Sequence, residues 1–309
     1  MATPTLTFEQ SLSLTRLSPT TFRPLHPQWT WPNSTVVPGG CLMSMAAHAA
    51  YQTLPADPAY ALDNLHCQFL SGSNPDEPYT ITIQPLTDGK RFRVRSAVVT
   101  QAGRNIVSVT MAFINASPWK GPSMRHSVPR VGKERVREIT IDDLERGRTV
   151  RGGYMKFQRL PLVHRDPREV HTSVKPVVAH IIGPMQAETG TIPHVLGLLN
   201  LSDYHVLAAP SDLHGYTLGL PAIGDASGKP TEAMASMFTS LNHTVHIHSY
   251  DFRADELMYV EVTSPWTGDG RGMANSRIFN QKGDLIASCV QETYHVLKPG
   301  QKSLFESKL

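Results

Sequence analysis

The sequence predicts an α+β fold in which two buried helices are each wrapped by an antiparallel sheet, and three observations carry that prediction. Between Ser236 and Val296 four β-type runs follow one another, His243–Ser249, Leu257–Thr263, Met273–Asn280 and Leu285–Val296, the last entered through a Lys282-Gly283-Asp284 turn. An earlier stretch repeats the plan with Asn64–Leu70, Tyr79–Gln84, Arg91–Thr100 and Asn105–Ile114, after an apolar helical run at Cys41–Leu54. The two meanders also share spacings: Arg91 lies 12 residues before Gly103 and Arg271 lies 12 before Gly283, while His66 to Tyr79 and His243 to Glu256 both span 13. Matching intervals of this kind mark an internal duplication.

In chain order, Thr5–Phe8 and Ser11–Leu17 read as strands, followed by a Trp/Pro loop and then Gly39-Gly40. The glycine pair opens the helix Cys41–Leu54, which is rich in small apolar residues, is stopped by Pro55 and reads as buried on nearly every side. Its unpaired N-terminal N–H groups suit a polarised carbonyl or an anion, so Gly39, Gly40 and Cys41 are candidate substrate-binding residues. After the first meander the composition turns polar, basic and Pro/Gly-interrupted, with a short helix expected near Ile141–Arg146. The second half repeats the order: extended segments at Gly153–Leu162 and Val174–Ile182, a helix at about Thr191–Asn200, a loop beginning at Leu201-Ser202-Asp203, and the second meander. This divides the chain into units at 1–116 and 151–296, a linker at 117–150 and a tail at 297–309.

A chain of 309 residues with 40% hydrophobic and 18% charged content supports a sizeable core, and its net charge of +3 is spread rather than striped, which argues against a nucleic-acid partner. Cys41, Cys67 and Cys289 are too few and too scattered for a disulfide framework or a Cys-pair metal site, so a reducing compartment is expected. No run of about 18 apolar residues occurs and the N-terminus lacks a signal-peptide pattern, so a soluble protein without a membrane span is expected. The tripeptide Ser307-Lys308-Leu309 matches the address read by the peroxisomal import receptor, giving the expectation of a peroxisomal protein with that receptor as a partner.

The segments GGCLMSMAAHAA, NLHCQFL, LTDGKRFRVRSAVVTQAGRNIVSVTMAFI and the run from Ser240 to Glu292 together resemble the acyl-CoA thioesterase II family, and the resemblance covers nearly the whole chain except the linker and tail. It implies a double hotdog fold, an acyl-CoA substrate of fatty or polyketide-like type, and thioester hydrolysis without a cofactor. A homo-oligomer is a further expected partner state. Such hydrolysis needs a positioned water, a proton acceptor and donors for the carbonyl oxygen. By motif, the family's Gln falls on Gln291, its hydroxyl residue at or beside Ser264, and its Asp on Asn242.

An amide cannot take a proton near neutral pH, so beside a slow or specialised enzyme Asn242 leaves two further readings open. In one, another group serves as base; His246 and His248 share a strand face with Asn242, whereas His243 points the other way with Val245 and Ile247. In the other, the protein is a non-hydrolytic acyl-CoA-binding or biosynthetic auxiliary protein. The two histidines have no Cys or carboxylate nearby to complete a metal set. Cys41, a candidate nucleophile at a helix start, has no histidine within a dyad's reach. A hotdog hydratase would carry an Asp on the first helix, where Cys41–Leu54 has none.

Overall fold

In the computed structural model the residues described are 6–301, apart from 32–33, 35, 57–58, 132–140, 142–149, 164–168, 187–189, 205, 221–222 and 224–230. The first half contains α1 (Phe8–Ser11), β1 (Leu14–Ser18), β2 (Thr21–Pro24), α2 (Gly39–Tyr51), β3 (Tyr60–Phe69), β4 (Tyr79–Asp88), β5 (Phe92–Gln101) and β6 (Arg104–Asn115). The second contains β7 (Val150–Gly152), β8 (Met155–Arg159), β9 (Lys175–Ile181), α3 (Ile192–Tyr204), α4 (Ala209–Leu213), β10 (Ala235–Ile247), β11 (Met258–Gly268), β12 (Arg271–Phe279) and β13 (Leu285–Leu297). The strands form one 13-stranded antiparallel sheet in the order β1-β2-β4-β5-β6-β3-β10-β13-β12-β11-β9-β8-β7. The halves join edge to edge where β3 pairs with β10, Leu65 opposite Val245 and Cys67 opposite His243. Each half thus covers the other's exposed edge. This is the double hotdog expected from the sequence.

Tight turns hold the hairpins in register. Ala102 and Gly103 both have positive φ between β5 and β6, as do Asp269 and Gly270 between β11 and β12, the geometry of two-residue turns that follow the strands' twist. At the N-terminus the outcome differs from the expected strand over Thr5–Phe8. Thr7 accepts from the Gln10 backbone N–H while the Gln10 side chain accepts from Thr7 N–H, and this reciprocal cap makes Phe8–Ser11 a short helix.

The two central helices are almost wholly buried and belong to one continuous apolar core. They run antiparallel in close contact: Ser44 Oγ lies 2.8 Å from Leu196 O across the interface and 2.8 Å from its own Gly40 O, its one hydrogen shared between the two carbonyls. A Cβ on Gly40 would lie 2.5 Å from the backbone oxygen of Asn200. Only glycine permits this approach.

The segment after β6 reaches the sheet face opposite the helices. The Arg130 guanidinium sits 4.7 Å from the Tyr259 ring centroid, Tyr259 OH donates to Val131 O, and Val131 N–H donates to the buried Glu261. Of the short helix expected at Ile141–Arg146, only Ile141 is described; it packs on a second small cluster that includes Leu257, Tyr259 and Phe279.

Replacing Gly40 by Ala forces backbone against backbone, and overpacking of this kind costs about 1–3 kcal/mol. The urea midpoint of Gly40→Ala should fall with its m-value unchanged; an unaltered midpoint would show that the helices can part freely.

Candidate active site

The C-terminal turn of α3 carries the centre of the site. Ser202 and Asp203 favour turns when exposed, yet here the helix runs on through Tyr204. Both side chains are satisfied within the core. Ser202 Oγ donates to Leu199 O at 2.9 Å. The carboxylate of Asp203, 4% exposed, accepts from Gly40 N at 2.9 Å on Oδ2 and from Gln291 Nε2 at 2.7 Å on Oδ1. The Ser240 hydroxyl reaches Oδ1 at 3.5 Å.

Electrostatics explains the arrangement. A carboxylate at the end of α3 is disfavoured by that helix's own dipole, but α2 begins against it and presents its positive end. No side chain of the α2 N-cap residue, Pro38, bonds the first turn, so Asp203 supplies the missing cap from another helix. Burial raises the Asp203 pKa above the ordinary carboxylate range, while Gly40, Gln291 and Ser240 pull it back.

Gln291 lies on the helix-facing side of β13 and is fully buried. Its Nε2 donates to both Asp203 Oδ1 and Ser240 Oγ, the latter at 3.1 Å, and its Oε1 has no partner among the described residues. That oxygen is a spare, buried acceptor. Ser240 enters the group through a bulge: β10 pairs with β13 at Ser240↔Thr293 and next at Asn242↔Glu292, so Leu241 is extra. From His243, strict alternation would put Leu241 and Thr239 on the helix side. The extra residue shifts the count and puts Ser240 there instead.

Beside this cluster opens a cavity of about 660 Å³ between the halves, lined by Gly39, Leu42 and Phe69 from one and Asp203, Tyr204 and Ser240 from the other, among further residues that are mostly apolar. Its size suits one small ligand or the acyl part of a larger one.

The structure brings Gln291 and the start of α2 together and leaves the other expected members elsewhere. Asn242 is on the opposite sheet face, where its Nδ2 donates to Glu292 Oε2 at 3.0 Å. The reason is register: Asn242 adjoins His243, which shares the buried side with its partner Gln291, so Asn242 must face away. Ser264 lies at the irregularity between β11 and β12 and donates to Met273 O at 2.7 Å, outside the Asp203 cluster. His246 and His248 share Asn242's face, His246 against the His66 ring at 5.6 Å and His248 against Ser288 Oγ at 2.9 Å. Gly39 lines the cavity, and Gly40 spends its N–H on Asp203. Cys41 turns into the helix interface, accepts from Asn200 Nδ2 at 3.4 Å, and has its thiol pushed up to about 11 by burial. A thiol so raised is not a nucleophile at neutral pH. Among the described residues no cluster of His, Cys, Asp and Glu could hold a metal.

Two family models match the chain: an acyl-CoA thioesterase N-terminal domain over residues 27–114 and an acyl-CoA thioesterase C-terminal domain over residues 144–295. The chain belongs to the acyl-CoA thioesterase II family. It is 27% identical over 282 residues to mouse acyl-coenzyme A thioesterase 8, covering 90% of this chain and 85% of that protein. It is 25% identical over 274 residues to acyl-CoA thioesterase 2 of Haemophilus influenzae, covering 82% of this chain and 85% of that protein. Among solved structures, an acyl-CoA thioesterase II from Mycobacterium marinum superposes with a TM-score of 0.69 at 22% identity, over 95% of this chain and 98% of that one. A hot dog fold protein from Alicyclobacillus acidocaldarius gives 0.59 at 13% identity, over 94% and 98%. These two likenesses concern the fold.

The raised pKa of Asp203 has a consequence for stability. Below the unfolded carboxyl's value of about 3.9 the group is protonated in both states; as pH rises the unfolded chain ionises first, so the group's contribution falls until the folded pKa is passed. Asp203→Asn removes this loss. The stability difference, variant minus parent, should grow more positive from about pH 4 toward neutrality, as measured by urea unfolding; a difference that does not change with pH contradicts the raised value.

Proposed function

We propose that this protein hydrolyses an acyl-CoA thioester, with Asp203, Gln291 and Ser240 acting at the reacting atoms. The observation that carries the reading is a buried, pKa-raised carboxylate held by an amide and a hydroxyl, at a cavity wall and against the first turn of a helix. Asp203, which lines the cavity, takes a proton from water, with Gln291 and Ser240 hydrogen-bonded to the carboxylate that receives it. The water oxygen bonds to the thioester carbon. The positive end of α2 faces the carbonyl oxygen as charge develops on it. The C–S bond then breaks, and the proton held on Asp203 passes to the departing CoA sulfur, leaving a free acid. No cofactor takes part. Because a carboxylate stands at Asp203, hydrolysis is favoured over binding without turnover, the reading that rested on Asn242.

The apolar cavity wall, with Trp31, Leu42, Phe69 and Tyr204, favours a fatty or polyketide-like acyl group. The tripeptide Ser307-Lys308-Leu309, outside the described residues, supports import into peroxisomes.

Release of free CoA from a panel of acyl-CoAs tests the chemistry. Asp203→Asn should lower kcat by about 10² to 10⁴, the usual worth of a general base, and Gln291→Ala by about 10². Asn242→Asp should bring no gain, since it adds a carboxylate beside Glu292 on the far face. Full activity in Asp203→Asn, with a loss confined to His246 or His248 variants, would overturn the assignment. Location is read separately with an N-terminal fluorescent fusion, which should be punctate and become diffuse when the tripeptide is deleted.

A further inference from the structure

His243 is fully buried on the helix-facing side of β10, at the seam of the two halves, paired with Cys67 of β3 on one flank and Gln291 of β13 on the other. Its Nε2 lies 2.9 Å from Ser202 Oγ. The Ser202 hydroxyl already gives its hydrogen to Leu199 O, so it can only accept from the imidazole. The tautomer is therefore fixed, with the proton on Nε2 and a lone pair on Nδ1, which has no partner among the described residues. Burial pushes the imidazole down to about 3, so it is neutral wherever Asp203 works as a base. The only carboxylate in the adjoining cluster, Asp203, is bound by Gly40, Gln291 and Ser240 rather than by His243.

Ser202 immediately precedes Asp203. The imidazole thus ties the last turn of α3 to the strand pair that carries Ser240 and Gln291, so that acid, hydroxyl and amide share one frame. Helix ends fray unless held, and misplacing a reacting group by about 1 Å can cost about 10² in rate. Resting on the hydrolytic reading above, we propose that His243 is a positioning residue, an Nε2–H imidazole that clamps Ser202 and thereby sets Asp203 against Gly40 and Gln291.

Three variants separate this from a space-filling role. His243→Leu removes the donor, Ser202→Ala removes the acceptor, and His243→Gln keeps an N–H donor near the Nε2 position. We expect His243→Leu and Ser202→Ala each to lower kcat about 10- to 100-fold with KM nearly unchanged. The double variant should be no worse than His243→Leu alone, because both remove the same bond, and His243→Gln should recover most of the rate. The acid limb of kcat/KM should shift in the first two variants and not in His243→Gln. A readout independent of turnover is the pH-dependent stability difference between Asp203→Asn and its parent, which should change in a Ser202→Ala background. If His243→Leu is recovered unfolded, Ser202→Ala, which deletes one hydroxyl, bears the same expectation alone. Multiplying losses in the double variant, or a folded Ser202→Ala with parental kcat, acid limb and Asp203 linkage, would overturn the clamp. An active Asp203→Asn would instead sink the hydrolytic reading and leave the stability arm to decide the clamp.

Discussion

The contact between the Asp203 carboxylate and the first turn of α2 joins two requirements that would otherwise conflict. The helices approach so closely that a Cβ on Gly40 would strike the Asn200 backbone, which leaves Gly40 N–H out of reach of solvent. A buried N–H without an acceptor costs about 1–3 kcal/mol. A buried carboxylate without donors costs more. Each group answers the other, and the antiparallel crossing of α2 and α3 is the geometry in which they meet. Ser44, bonded across the crossing to Leu196 O, fixes the same interface one turn further along.

The duplicated plan yields one such site, and the two copies show why. Both central helices have 13 residues and end in tyrosine, so Ala50 in α2 stands where α3 has Asp203. Counting from Gly103 and Gly283, Met111 corresponds to Gln291. Leu65 pairs with Met111 in the first half as His243 pairs with Gln291 in the second. At these three positions the first copy has apolar residues where the second has buried polar ones. Its sheet supplies core, an edge for β10, and one wall of the cavity.

That asymmetry also explains what is legible in the sequence. Strands and helices follow from alternation, apolar runs and turn residues, because those patterns report burial directly. The pairing of β3 with β10 follows from two sheets that each need their edge covered. Asp203 is hidden by its own preferences, since Leu201-Ser202-Asp203 reads as the end of a helix while burial and side-chain bonds carry the helix past it. Ser240 is hidden by the bulge at Leu241, which reverses the parity of the strand upstream of His243. Asn242 attracts attention as the motif's polar position, yet its neighbour His243 faces the core, and one residue of register puts it on the far side. Setting the two copies side by side would point to Asp203 and Gln291, as polar residues opposite Ala50 and Met111.

The site gathers several departures from ordinary packing into one place, and they share one cause. A carboxylate at the C-terminal end of a helix, and an amide oxygen and an imidazole Nδ1 without partners among the described residues, all sit inside a largely apolar core. None of them would be chosen for packing, where leucine or methionine fills the same volume without desolvation, as Leu65 and Met111 do in the first copy. Unspent hydrogen-bonding capacity in a dry interior weakens the folded state, whereas Asp203 and Ser240, which do line the cavity, are held by these buried groups within reach of a ligand. The site's cost to folding and its capacity for chemistry therefore reside in the same cluster of atoms, and the apolar crossing around them, from Gly40 to Leu196, must supply the stability that they give up.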